Sequence, residues 1–294
     1  MNMRTSYFLS PKRTALMLPA GLAVLFLLPG AAFCAWASAV PEDRQAIQET
    51  PVFSKHEANA SRRNPGYFTI NPRSIRITLI ETRKEPDMNY VRLQETPPKD
   101  TPSNLVLLDS MDNIASKTWQ IVLANAPVAN IDTKYATAYP LGIASASQLA
   151  RWSGPKTYSY GFYAENIYGA VMIDCKYKVS YSYGGAYKGK GKYLTGVTII
   201  PTVTSVGWGY KLYMSASVPD STIANVGTDI NPIAAMQLKL IWKMATAIKE
   251  VDGTSVYYVQ GDGYFKEIAS PWKQSPDVAG IKAASPLLEP EKVF

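Results

Sequence analysis

The chain has 294 residues and a net charge of +7 at neutral pH, from 30 Lys and Arg against 23 Asp and Glu. Its length and its 47% apolar composition are ample for a sizeable core, in one large domain or two smaller ones. The only histidine, His56, lies in a polar segment near the N-terminus, which excludes a His-centred triad or zinc cluster inside the fold.

The first 39 residues have the pattern of a secretory signal peptide. Three basic residues come first, an uncharged apolar run follows from Thr14, and the run closes on the small residues Ala37-Ser38-Ala39. We therefore expect cleavage after Ala39 and export of the remaining chain. The alternative is an uncleaved membrane anchor, because the uncharged run is long enough to span a bilayer of about 30 Å.

The exported chain would keep a weakly basic charge and one thiol. Residues 1–39 hold three basic residues, no acidic residue and Cys34, which leaves 27 basic residues against 23 acidic ones, a net charge of about +4, and Cys175. So small a charge does not require nucleic acid as a partner, and one cysteine cannot form an internal disulfide. An export signal on such a chain suits a bacterial periplasmic or cell-surface protein.

Both ends of the expected mature chain have little apolar pattern. Residues 40–66 are polar and residues 269–294 contain several prolines, so they are predicted to be a flexible leader and a disordered tail. The region between them, residues 67–268, is predicted to form a single domain.

The first part of this domain is predicted to contain two strands and one helix. "SIRITLIET" (residues 74–82) and "NYVRL" (residues 89–93) are typical of strands. In residues 104–125, apolar side chains recur every three or four positions, which predicts one long amphipathic helix. Its apolar stripe would consist of Leu105, Leu108, Met111, Ala115, Trp119 and Val122.

From residue 156 onward the apolar pattern has a period of two, which is typical of antiparallel strands with one buried face. The clearest runs are "YGAVMIDCKYKVSYSY" (168–183), "WGYKLYMSASV" (208–218) and "AAMQLKLIWKMATAIKE" (234–250). A hairpin turn is predicted at residues 251–254. The predicted fold is mainly β (α+β): an antiparallel β-sandwich with the long amphipathic helix inserted near its start.

One stretch, "SYSYGGAYKGKGKYL" (residues 180–194), combines glycines, lysines and tyrosines. Gly184, four residues, Gly189 and Lys190 imitate a phosphate-binding loop, but Gly191 stands where that loop needs Ser or Thr. The stretch also lies between two predicted strands, not between a strand and a helix. The pattern therefore predicts a glycine-rich hairpin loop whose lysines keep an exposed tip soluble.

The same loop supplies the ligand-binding candidates. Lysines interleaved with tyrosines would suit an anionic glycan or a lipid headgroup, which is the alternative to the solubilising interpretation. The candidate residues are Tyr183, Tyr187, Lys188, Lys190, Lys192 and Tyr193.

No other pattern predicts a catalytic, cofactor or metal site. Cys175 falls among apolar side chains and is expected to be buried rather than reactive. Two carboxylate pairs, Asp109 with Asp112 and Asp262 with Glu267, would suit glycoside hydrolysis if each pair were about 5 to 10 Å apart across a cleft. Simple solvation at the surface is the preferred interpretation of these carboxylates.

The sequence therefore predicts an exported, non-enzymatic binding or structural protein of the bacterial periplasm or cell surface. Its partner would be a glycan, a lipid headgroup or another envelope protein. Two alternatives stay open. One is a carbohydrate-active enzyme that uses a carboxylate pair, and the other is an envelope component anchored by an uncleaved N-terminal helix.

Overall fold

The computed structural model describes residues 50–84, 92–93, 106–128 and 132–270. All of them belong to one compact unit. The predicted signal peptide, the leader before residue 50 and the tail after residue 270 lie outside the described residues, and the statements on them stay predictions.

The described chain is mainly antiparallel β-structure. Its strands, numbered in chain order, are β1 (Arg76–Lys84), β2 (Arg92–Leu93), β3 (Leu107–Asp112), β4 (Thr118–Leu123), β5 (Ala126–Pro127), β6 (Asp132–Thr133), β7 (Ala136–Leu141), β8 (Ser153–Glu165), β9 (Val171–Tyr187), β10 (Lys190–Val206), β11 (Lys211–Ser217), β12 (Ala224–Asn225), β13 (Ala234–Ala245), β14 (Glu250–Gln260) and β15 (Phe265–Ala269). Three short 3₁₀ turns cover Pro72–Ser74, Ala146–Gln148 and Asp220–Thr222.

These strands form two main sheets. The first has the order β1-β8-β9-β10-β7-β3, and the second has the order β15-β14-β13-β11-β4-β5, with β12 attached to β13. All pairs in both sheets are antiparallel. The short pair β2–β6 is parallel and separate from both sheets.

The prediction of a long helix at residues 104–125 is wrong. The described part of that region forms β3 and β4, with the irregular segment 113–117 between them. Asn113 explains the break, because its side-chain oxygen accepts hydrogen bonds from the backbone N–H groups of Ala115 (3.1 Å) and Thr137 (3.0 Å). Such local side-chain bonds compete with a helix and favour a turn.

A helix occurs instead in the segment predicted to be a flexible leader. Helix α1 spans Lys55–Arg63 and begins with a capping box, in which Ser54 and Glu57 bond each other's backbone N–H groups. It is tied to the sheets, because the carboxylate of Glu57 lies 3.9 Å from the ammonium of Lys211. The ring of His56 contacts Trp208, with ring centroids 5.4 Å apart.

The period-two runs are confirmed as strands, since β11 and β13 lie within their predicted runs and β9 begins in its run and continues to Tyr187. The predicted hairpin turn at 251–254 is wrong. The chain turns at residues 246–249 instead, where Thr246 and Lys249 bond each other's backbone, and Gly253 lies inside β14 opposite Trp242. Gly253 therefore serves packing rather than a turn, because its missing side chain makes room for the indole ring.

The inner faces of the two sheets form one core that is rich in tyrosine. Tyr177 on β9 and Tyr257 on β14 meet inside it, with their hydroxyl oxygens 2.7 Å apart. Phe162 on β8 contacts Trp242 on β13, with ring centroids 5.0 Å apart. Seven tyrosines are among the largest fully buried side chains, namely Tyr139, Tyr160, Tyr177, Tyr181, Tyr193, Tyr210 and Tyr257.

Strand register places the β9–β10 turn and helix α1 at opposite ends of the unit. The β9–β10 turn, the loop before β13 and the β14–β15 turn lie together, as the hydrogen bonds from Lys192 N–H to Pro232 and from Gly184 N–H to Gly261 show. We call this the hairpin end. Helix α1 lies at the other end, beside the start of β11.

The Gly253–Trp242 contact gives a first prediction. A methyl group on Gly253 would lie 2.4 Å from Cζ2 of Trp242, so Gly253→Ala should lower the free energy of unfolding by about 2 kcal/mol through overpacking. Gly161→Ala on β8 is the control, because its methyl would meet only the movable tip of Ile80 at 3.3 Å. Urea unfolding should show a change within about 0.5 kcal/mol for the control. Equal stability of the two variants would contradict this account.

Candidate functional site

The stretch from residue 180 to 194 is the hairpin of β9 and β10, as predicted. Its turn consists of Lys188 (φ 48°) and Gly189 (φ 82°), between the paired residues Tyr187 and Lys190. Positive φ at both central residues defines a type I′ turn, which matches the right-handed twist of the strands. The arrangement is a tight hairpin, not a phosphate-binding loop that leads into a helix.

Two glycines of this hairpin make space for aromatic rings. A side chain on Gly185 would lie 2.3 Å from the ring of Trp152, and one on Gly191 would lie 2.5 Å from the ring of Tyr193. Both distances are far below van der Waals contact, so only glycine fits under these rings. The glycine-rich composition of the stretch is therefore explained by packing as well as by the turn.

The hairpin is held from both sides. Ala186 exchanges two backbone hydrogen bonds with Ala150, of 2.7 and 2.9 Å. On the other side, the N–H of Gly191 donates to the side-chain oxygen of Asn231 (3.0 Å), and the N–H of Lys192 donates to the carbonyl of Pro232 (2.9 Å). The turn is thus fixed relative to two neighbouring loops, 142–152 and 226–233.

The three tyrosines among the candidate residues are partly or fully used inside the protein. Tyr193 is completely buried, and its hydroxyl donates to the carbonyl of Leu108 at 3.0 Å. Burial raises the pKa of Tyr193 to about 12. Tyr183 and Tyr187 are half-buried. Tyr193 is therefore a core residue. It cannot contribute to an exposed ligand-binding surface as predicted.

The three candidate lysines are exposed, and an arginine joins them. Lys190 and Lys192 are both exposed on β10, on either side of Gly191 (φ 78°) where the β9–β10 register shifts, and the exposed Lys188 lies at the turn. The guanidinium of Arg151 lies 3.9 Å from the position that a side chain on Gly189 would occupy. We call Arg151, Lys188, Lys190 and Lys192 the basic tip.

Sequence reasoning missed Arg151, which is 37 residues before Lys188 in the chain. It reaches the hairpin through the pairing of Ala150 with Ala186. A sequence signal for this pairing is weak, since neither alanine stands out in its segment.

No acidic side chain of the described residues lies within ion-pair distance of the basic tip. Other bases do have such partners: Lys211 lies 3.9 Å from Glu57, and Lys243 lies 3.6 Å from Glu250. The four cations of the tip therefore form no direct ion pair with a carboxylate of the described chain.

Two residues of the basic tip also have an unfavourable backbone conformation. Arg151 (φ 65°) and Lys188 (φ 48°) lie in the left-handed region, with Ala124 and Asn125 as the other described non-glycine examples. This conformation costs an ordinary L-residue about 1 kcal/mol or more, whereas Asn and Gly tolerate it. Ala124 and Asn125 form a second type I′ turn, between β4 and β5, and they offer an uncharged comparison.

Cys175 is buried, as predicted. Its sulfur lies 3.7 Å from the sulfur of Met214 and 3.7 Å from the hydroxyl of Thr204. Burial raises the pKa of the Cys175 thiol to about 11. The thiolate, which is the reactive form, is therefore strongly disfavoured at neutral pH.

The two candidate carboxylate pairs lie on β3 and at the β14–β15 hairpin. Asp109 and Asp112 belong to β3 rather than to one side of a helix. Asp262 is exposed in the β14–β15 turn, where its oxygen accepts the N–H of Tyr264 at 3.0 Å, and Glu267 lies on β15. Gly261 to Gly263 form the turn between β14 and β15.

No group of three or more His, Cys, Asp and Glu side chains is placed to hold a metal ion within residues 50–84, 92–93, 106–128 and 132–270. No helix in that part of the chain is long and apolar enough to cross a membrane. Comparison of this chain with protein-family models, with curated proteins and with solved structures gives no match.

The strained turn gives a second prediction. Lys188→Asn should raise the free energy of unfolding by about 0.5 to 1 kcal/mol, because Asn tolerates positive φ and is favoured in type I′ turns. Ala124→Asn should raise it by a similar amount at the opposite end of the unit. Lys188→Gln removes the same charge without relieving the backbone, and its urea midpoint should not rise. A rise equal to that of Lys188→Asn would show that charge repulsion, not conformation, is the cause.

The buried thiol gives a third prediction, measured in a Cys34→Ser background. Cys175 should react with a thiol reagent at neutral pH far more slowly in the native protein than in urea, because the native thiol is buried with its pKa near 11. Cys175→Ala should lower the free energy of unfolding by about 1 kcal/mol through lost packing. Equal labelling rates in the native and unfolded states would contradict the burial.

Proposed function

We propose that the protein is an exported, non-enzymatic binding protein and that the basic tip binds its anionic ligand. Export is supported by residues 1–39, where a basic start precedes an apolar run and small residues. The observation that carries the binding proposal is the set of four exposed positive charges without an acidic partner among the described residues.

The charges of the basic tip are close enough to act together. Lys190 and Lys192 are two residues apart in the chain, so their Cα atoms are separated by no more than about 7 Å. The Debye length at physiological ionic strength is about 8 Å. Salt therefore only partly screens the attraction between these two lysines and one anionic ligand that contacts both. Clustered charges of one sign attract a ligand of opposite sign and speed its association.

The hydrogen bonds that hold the hairpin support binding over simple solubility. A charged loop improves solubility whether or not it is held in place. Here Ala186 is paired with Ala150, and Gly191 and Lys192 are bonded to the next loop. A surface ordered in advance loses less conformational entropy when a ligand binds.

An anionic polymer tests this proposal. We would measure the affinity of the protein for a soluble sulfated polysaccharide at about 0.1 M and about 1 M salt, where the Debye length is about 10 Å and about 3 Å. The variant Arg151→Gln/Lys188→Asn/Lys190→Gln/Lys192→Gln should bind more than tenfold more weakly at low salt. Its affinity should also depend less on salt, because fewer counterions are released.

The matched control removes the same charge elsewhere. Lys55, Arg62, Lys176 and Lys249 are exposed and lie away from the hairpin end. Their fourfold change to Gln should weaken binding by less than threefold, since only long-range attraction is lost. If this control weakens binding as much as the tip variant does, net charge rather than the basic tip is responsible.

A further inference from the structure

The loop next to the basic tip exposes an isoleucine. Ile230 is 75% exposed, although a large aliphatic side chain is normally buried. Its neighbours Asn231 and Pro232 accept the hydrogen bonds from Gly191 and Lys192. Ile230 is therefore held directly beside the lysines of β10.

Internal hydrogen bonds order the loop that carries Ile230. The side-chain oxygen of Asn225 accepts the N–H groups of Gly227 (2.9 Å) and Ile233 (3.0 Å). The hydroxyl of Thr228 accepts the N–H of Asn231 at 3.1 Å. An apolar side chain that is 75% exposed buries little surface on folding, so it contributes little to the stability of the loop.

We propose that the basic tip docks on an anionic lipid membrane surface, with its cations at the headgroup phosphates and Ile230 in the apolar layer below them. This inference rests on the proposed function, since it names the source of the anionic ligand. Membrane-surface binding grows with the charge attracted to anionic lipids and with the apolar area inserted between them. The hairpin end offers both features side by side.

The aromatic rings of the hairpin favour a lipid over a sugar. Stacking on a sugar needs a free ring face, and Tyr193 is buried. One side of Tyr183 packs against Gly263, and the ammonium of Lys156 lies 5.1 Å from its centroid. The ammonium of Lys188 lies 5.1 Å from the centroid of Tyr187. The hairpin end thus presents charge, the aliphatic side chain of Ile230 and one exposed ring, Tyr264 in the β14–β15 turn at 48% exposure. A single ring with a polar hydroxyl also suits a membrane interface.

Vesicle sedimentation tests this inference with the chain as it is recovered from cells. The vesicles contain phosphatidylcholine alone or phosphatidylcholine with one third phosphatidylglycerol. An apolar N-terminal segment, where retained, would insert into both, so the difference between the two vesicles reports the basic tip. The wild type should bind the anionic vesicles at least tenfold more tightly, and high salt should remove most of this preference.

One single substitution separates the lipid from other polyanions. Ile230→Ser should weaken binding to anionic vesicles about fivefold and leave binding to the sulfated polysaccharide unchanged. Ile248→Ser is the control, since Ile248 is 45% exposed in the turn at the other end of the unit. Asp229→Asn should strengthen vesicle binding about threefold, because it removes the carboxylate next to Ile230.

The possible outcomes separate the two proposals. Polysaccharide binding without a preference for anionic vesicles would overturn the membrane inference and leave the basic tip as a binding site for another polyanion. An Ile230→Ser variant that binds anionic vesicles as the Ile248→Ser control does would also overturn it. Absence of both kinds of binding would overturn the proposed function as well.

Discussion

Tyr177 and Tyr257 meet between the two sheets with their hydroxyl oxygens 2.7 Å apart, and each ring reaches the core from a different sheet. A buried hydroxyl without a partner costs about 1 to 3 kcal/mol, so each of these tyrosines needs the other in place. Tyr181 meets the same requirement by donating to the carbonyl of Gly263 at 3.0 Å. The hydroxyls thereby fix how β9 of one sheet lies against β14 and the following turn of the other.

The position of the basic tip follows from this core. Tyr181 and Tyr193 point inward from the two arms of the hairpin, and Tyr193 bonds to Leu108. Since adjacent side chains of a strand point to opposite faces, fixing Tyr193 inward directs Lys192 outward, and the exposed Lys190 follows at the register shift beside Gly191. The same residues that complete the core therefore also set where the charges of the hairpin stand, and the glycines between them leave room for the rings.

Alternation predicted the long strands correctly because apolar and polar side chains alternate along β9, β11 and β13. The expectation of one buried face was wrong for β11, which is buried on both faces from Leu212 to Ser217. The prediction of a helix at 104–125 was wrong because apolar residues three or four positions apart also occur when two short strands follow each other across a turn. The bonds that Asn113 makes to Thr137 connect distant parts of the chain, and a local pattern does not contain them. Helix α1 was missed because it is mostly polar, although its capping residues Ser54 and Glu57 were readable.

The lysines of the basic tip were predictable from the hairpin pattern, whereas its geometry was not. Positive φ alone does not mark function, since Ala124 has nearly the same conformation in an uncharged turn of the same type. What distinguishes the hairpin end is that Lys188 and Arg151 both have this conformation and both carry a positive charge. Arg151 reaches Lys188 only through a backbone pairing across 36 residues, between Ala150 and Ala186. Asn or Gly at either position would favour folding, so two strained backbones with the same charge at one place motivate the proposal that the basic tip binds a ligand.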